Sequence, residues 1–326
     1  NTDTESITFA FEGVNYLSRA LTDIKCDLEM NLSELIFTFK DNNLKLNEIN
    51  LGFDGWFKMM EDEYEMDITF KSNENTFKSL LSLVPGAYTP GFGEMKTDGL
   101  LALSGKLFGK YSETNLPGFN LNLNVKDAYF QYPELPTKME NINIKTIVDF
   151  PGGTNYDKLV VDVQKFDLEF SGNTIKSTFY TTNAITDPYL KSSLIAHVDL
   201  GKLSAVVPME EGDNLNGQLL SNIEIEGSYS SIEQEKYDEF KALGSLQLSQ
   251  MEYSSKSSGY TMNIDSMLFN FSPEQLELVE FSSEIGNSDL SANGSIDNYL
   301  KYYMKDEPLS GTFNINSNYF NLDELM

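Results

Sequence analysis

Several residue types are almost missing from this chain. Among 326 residues there is one cysteine, one histidine and one tryptophan. A lone Cys26 excludes a disulfide framework, so cysteine usage does not report the redox compartment. His197 is the only imidazole, so no Ser-His-Asp or Cys-His arrangement can form without it. It stands inside an apolar strand pattern, which favours a packed or edge role. One Cys and one His cannot fill a structural zinc site. Positive charge is scarce as well. Lys and Arg number 23 against 50 Asp and Glu, a formal net charge of −27. That balance excludes a nucleic-acid backbone as partner and argues against broad docking on anionic lipid. Arg19 is the only arginine, so bidentate clamps on phosphate or carboxylate are almost out of reach. No apolar run is long enough to span a bilayer, and no charged-then-apolar leader opens the chain.

What the sequence has in quantity is alternation. Ile7, Phe9 and Phe11 share one face of a strand; Cys26, Leu28, Met30 and Leu32 share another. Ile36–Phe39 and Leu44–Phe53 follow, with Asp41-Asn42-Asn43 expected as the turn between them. Tyr64, Met66, Ile68 and Phe70 complete a first meander. Leu101, Leu103 and Leu107 precede Leu121, Leu123 and Val125, then Ile142 and Ile144, then Leu159, Val161 and Val163. Ser171-Gly172-Asn173 is a turn signal. Leu219, Ile223 and Ile225 belong to a later strand, and Leu246 to Phe281 rebuild the pattern. Such half-alternating strands predict antiparallel sheet with one dry face. The few short helices cannot cover it. The sheet must curl over on itself as a sandwich, a barrel or a groove.

A strand–helix–strand sentence recurs. Over Leu194–Gly227, a strand leads to Asp199 as N-cap, a helical face at Leu200, Leu203, Val206 and Val207, a stop at Pro208, and a new strand. Ile68–Gly105 repeats it through Asn75, Phe77, Leu80, Leu81, Leu83, Val84 and Pro85. Leu290–Ile315 repeats it through Asp297, Leu300, Met304 and Pro308. Asn321–Met326 reads as a fourth start. Degenerate repeats are the expectation. The segment 231–242 predicts a further helix, capped by Ser231, with Tyr237 and Phe240 facing inward. Pro85–Gly93 predicts an irregular connector and lacks the ending of a phosphate loop.

Candidate chemistry is sparse. Glu61-Asp62-Glu63 with Glu65, and Glu210-Glu211 with Asp213, lack the spacing of an EF-hand loop. They read as solvated acidic turns. No carboxylate pair is singled out for glycoside chemistry. Trp56, Phe57, Met59 and Met60 beside Gly55 predict a turn-packing cluster or a contact for a partner or lipid. The expectation is no catalytic residue, no metal and no cofactor.

Particular segments carry a resemblance. Leu121–Pro136, with Val125-Lys126-Asp127-Ala128-Tyr129-Phe130-Gln131-Tyr132-Pro133-Glu134-Leu135-Pro136, resembles the central segment of AsmA-like proteins of the Gram-negative envelope. So do Met139–Ile144, Asp187-Pro188, Asp199–Leu203 with Val207-Pro208, and Tyr237–Gly244. The likeness covers about residues 66–326 and is weaker before that. It implies a periplasmic β-groove of repeats over 73–326, continuous with a β-meander over 1–72. It also implies an inner-membrane anchor in a segment outside this chain. Starting at Asn1 and ending in a helical pattern agrees with a piece of a longer protein. The implied role is outer-membrane biogenesis, with phospholipid acyl chains as ligand. On that reading Leu121, Leu123, Val125, Ile142, Ile144, Leu159, Val161, Val163, Leu219, Ile223 and Ile225 line the groove. The competing reading is a closed β-sandwich serving as scaffold or protein-binding envelope module, because periodicity cannot separate a lined groove from a packed core.

Overall fold

The structure, a computed structural model, describes residues 2–11, 14–72, 76–82, 94–207, 209–210, 212–256 and 260–321. It is all-β and antiparallel, with few short helices. Contacts divide the chain into two units. One is Asn1–Pro133 with Glu140–Lys165; the other is Glu134–Met139 with Phe166–Met326.

The first unit begins with β1 (Thr2–Phe11), β2 (Val14–Asn31), β3 (Ile36–Leu46), β4 (Ile49–Met59) and β5 (Tyr64–Ser72). A five-residue helix, α1 (Phe77–Leu81), leads to β6 (Lys96–Tyr111), β7 (Gly118–Gln131) and β8 (Met139–Phe150). From β1 to β7 each strand pairs antiparallel with the next. β8 lies beside β7: Asn120 Nδ2 donates to Asp149 Oδ1 at 3.0 Å, and the Asp127 N–H donates to Asn143 Oδ1 at 3.2 Å. β9 (Val160–Phe170) contains residues of both units.

The second unit continues with β10 (Asn173–Thr182), β11 (Tyr189–Asp199), β12 (Asn214–Ser228), β13 (Lys241–Ser255), β14 (Tyr260–Phe271), β15 (Leu276–Ile285), β16 (Ser288–Ile296) and β17 (Gly311–Asn316). Each again pairs antiparallel with its successor. Two short helices, α2 (Tyr229–Glu233) and α3 (Tyr299–Lys305), interrupt the meander.

In the second unit two buried clusters lie at the two ends of β12. Near Leu219, the 3₁₀ helix Leu200–Ala205 and Val206 lean on Phe170, Ala196 and Val198. Asp199 caps that helix, its Oδ1 accepting from the Gly201 N–H at 3.1 Å, as the sequence predicts. Near Ile225, α2 and α3 meet over Ile232, Phe240, Ala242 and Leu300. Between these plugs the apolar face of the sheet is only half-buried.

The turn signal at Ser171-Gly172 is a two-residue hairpin, with φ of 48° and 84°, as a type I′ turn needs. Asp41-Asn42-Asn43 is not a turn. β3 runs straight through it and reverses at Asn47, whose φ is 51°. The three polar residues instead make a bulge, where the register slips between Phe39 and Asn42. Asp41 takes a φ of 54° and its N–H donates to Asp54 Oδ1, while Asn42 Oδ1 accepts from the Asp27 N–H. Side chains that can bond the backbone satisfy a bulge as well as a turn. The helix expected over 231–242 is only α2. Its N-cap position is Ser228 rather than Ser231, without a side-chain capping bond, and it ends before Glu235, whose φ is 58°. Burial of Phe240 against Ala242 draws the chain into the next strand. Trp56 and Phe57 do not cluster in a turn either. Both lie within β4 on opposite faces, where Phe57 stacks on Tyr64 with ring centroids 5.4 Å apart.

The three recurring segments each read strand, short helix, strand: β5–α1–β6, β11–3₁₀ helix–β12 and β16–α3–β17. Asn75, Leu83, Val84, Pro85–Gly93, Pro208, Glu211 and the terminal 322–326 lie outside the described residues.

Candidate functional site

Strand register assembles one apolar face in each unit. Residues opposite one another in an antiparallel pair point to the same side of the sheet. In the first unit Phe37 faces Phe57, Phe57 faces Met66, and Phe53 faces Phe70. Ile68 faces Leu107, Leu107 faces Phe119, and Leu101 and Leu103 face Val125 and Leu123. In the second unit a single ladder runs from Val198 through Leu219, Leu248, Met267, Phe281 and Ala292 to Ile315. A parallel row runs from Ile175 through Ala196, Ser221, Leu246, Phe269, Leu278 and Gly294 to Phe313.

The expected lining residues distribute as follows. Leu121, Leu123 and Val125 do share a face of β7; Val125 is 1% exposed and the two leucines are half-buried. On β8, Ile142 is buried and Ile144 half-buried. Val161 and Val163 are half-buried on β9, whereas Leu159 precedes that strand, at the end of the 3₁₀ turn Tyr156–Lys158. Leu219, Ile223 and Ile225 share a half-buried face of β12, opposite Leu248, Gly244 and Ala242. Register therefore brings Leu121, Leu123 and Val125 together in the first unit. It brings Leu219, Ile223 and Ile225 together in the second.

A concavity that the sequence reading passed over lies on β3, β4 and β5. Leu44, Leu51, Phe53, Ile68 and Phe70 line a depression of ≈ 260 Å³ walled by apolar atoms alone. Both units also carry a pattern readable only from register. A glycine on the apolar face stands opposite a phenylalanine: Gly55 opposite Phe39, Gly105 opposite Phe70, Gly244 opposite Phe271, Gly294 opposite Phe313. The backbone at all four leaves no room for a side chain. A Cβ on Gly55 would lie 2.0 Å from the Asp67 carbonyl oxygen, and one on Gly244 would lie 1.8 Å from that of Asn222.

The opposite face is polar. Asn122 and Asn124 are exposed there, and Lys106 pairs with Asp67 at 2.8 Å. Exposed His197 lies on the second unit's polar face, between Thr174 and Leu220.

Among the described residues the shifted groups sit in ion pairs, hydrogen bonds and buried phenols. Hydrogen bonds from Lys191 and Tyr189 hold the Glu226 carboxyl below its usual range. Glu63 raises the Lys110 ammonium, and Glu224 raises that of Lys241. Burial pushes up the Tyr299 phenol, whose hydroxyl donates to the Ser272 carbonyl at 2.8 Å. Each of these moves is away from neutrality, the reverse of what a general acid or base requires. Among the described residues no three His, Cys, Asp or Glu side chains gather as a metal site. Cys26 is exposed.

No family model, curated protein or solved structure matches the chain.

Proposed function

We propose that the chain is a non-enzymatic, AsmA-like envelope module that shelters phospholipid acyl chains along its apolar faces. The reading includes a hydrophobic groove built from degenerate strand–helix–strand repeats. It also includes a periplasmic setting, tethering to the inner membrane through a segment outside this chain, and a part in outer-membrane biogenesis. The observation that carries it is the half-exposure of ladders such as Leu219–Leu248–Met267–Phe281. In a closed sandwich the same side chains would form the core and lie buried. Here among the described phenylalanines only Phe77, Phe150, Phe170 and Phe240 are buried. Each methylene that an acyl chain removes from water there gains about 0.8 kcal/mol. The all-apolar depression at Leu44, Leu51, Phe53, Ile68 and Phe70 supports an alkyl ligand over a polar one.

Leu123→Asp tests this. On a wettable face the carboxylate keeps its water, and the expected loss of stability is roughly 1–2 kcal/mol. Uptake of a fluorescent phospholipid should fall, while Asn122→Asp, on the polar face, leaves it unchanged. Global unfolding by Leu123→Asp would favour a closed scaffold, since a charge buried without a partner costs well above that. Unaltered uptake by folded Leu123→Asp would remove β7 from the path.

A further inference from the structure

We draw no further inference here: the strongest candidate, the cleft of the second unit where Glu235, Glu274 and Asp297 gather beside Tyr237, Tyr299 and Lys301, is an acidic cluster for which nothing in the structure points to a ligand.

Discussion

Glycine 244 shows how tightly a single position is held. Its φ of 122° is closed to most side chains, and a Cβ would overlap the Asn222 carbonyl. Both strain and overlap fall on Gly244→Ala, with an expected loss of about 2–4 kcal/mol. Gly172 separates the two effects. Its φ is 84°, but nothing lies within 4 Å of the added methyl, so Gly172→Ala should lose only about 1–2 kcal/mol. Urea midpoints at unchanged slope measure both. Equal losses at the two sites would mean that the cross-strand contact at Gly244 is not a constraint. Glycines like this one were invisible to periodicity, because the neighbour that makes them necessary, the Asn222 backbone on the adjacent strand, is known only from register. The shared face of β7 was legible for a simpler reason. Leu121, Leu123 and Val125 recur at period two, and a strand can only put such residues on one side.

At the scale of the element, local chemistry was read well where one conformation answers it and poorly where two do. Asp199 followed by a short apolar face specifies a helix start, and the cap is there. Asp41-Asn42-Asn43 can serve a reversal or a bulge with the same side-chain bonds, and only the neighbouring strands decide. The run 231–242 has helical composition, but Phe240 is worth more against Ala242 than in a longer helix. The strand–helix–strand segments 68–105, 196–227 and 290–315 should superpose as one unit in a crystal structure, and unrelated hairpin geometries would remove the repeat reading. A second expectation concerns the turn after β17. The N–H groups of Asn318 and Tyr319 hold the Asp289 carboxyl below its usual pKa. A depressed folded value means the tie is present above the ordinary carboxylate pKa of about 3.9 and lost as pH falls through the lower folded value. The amide resonances of Asn318 and Tyr319 should therefore titrate with a midpoint below about 3.9. A midpoint at or above it would show that Asp289 does not hold the turn.

For the whole molecule, the apolar faces make a direct expectation of composition. Gently purified protein should carry phospholipid in a native mass spectrum, and the lipid should leave on addition of a competing detergent. Protein that emerges at the bare polypeptide mass from lipid-rich preparations would count against acyl-chain shelter. The acidic surface adds to the expectation. With 50 carboxylates against 23 cations, a headgroup of either kind finds no arginine cradle on these faces, so the retained species should mirror the surrounding lipid rather than one headgroup class.

Pairing of each strand with its neighbour in sequence has a kinetic meaning. Within either unit the hydrogen-bonded partners meet by closing a hairpin, not by finding a distant segment. Loop closure is cheapest over such short spans, and rates of folding follow the mean separation of contacting residues. A polypeptide threaded out amino end first can lay each new strand on the one already in place. Growth of this kind never leaves a long stretch of Phe and Leu waiting for a partner that has not yet been made.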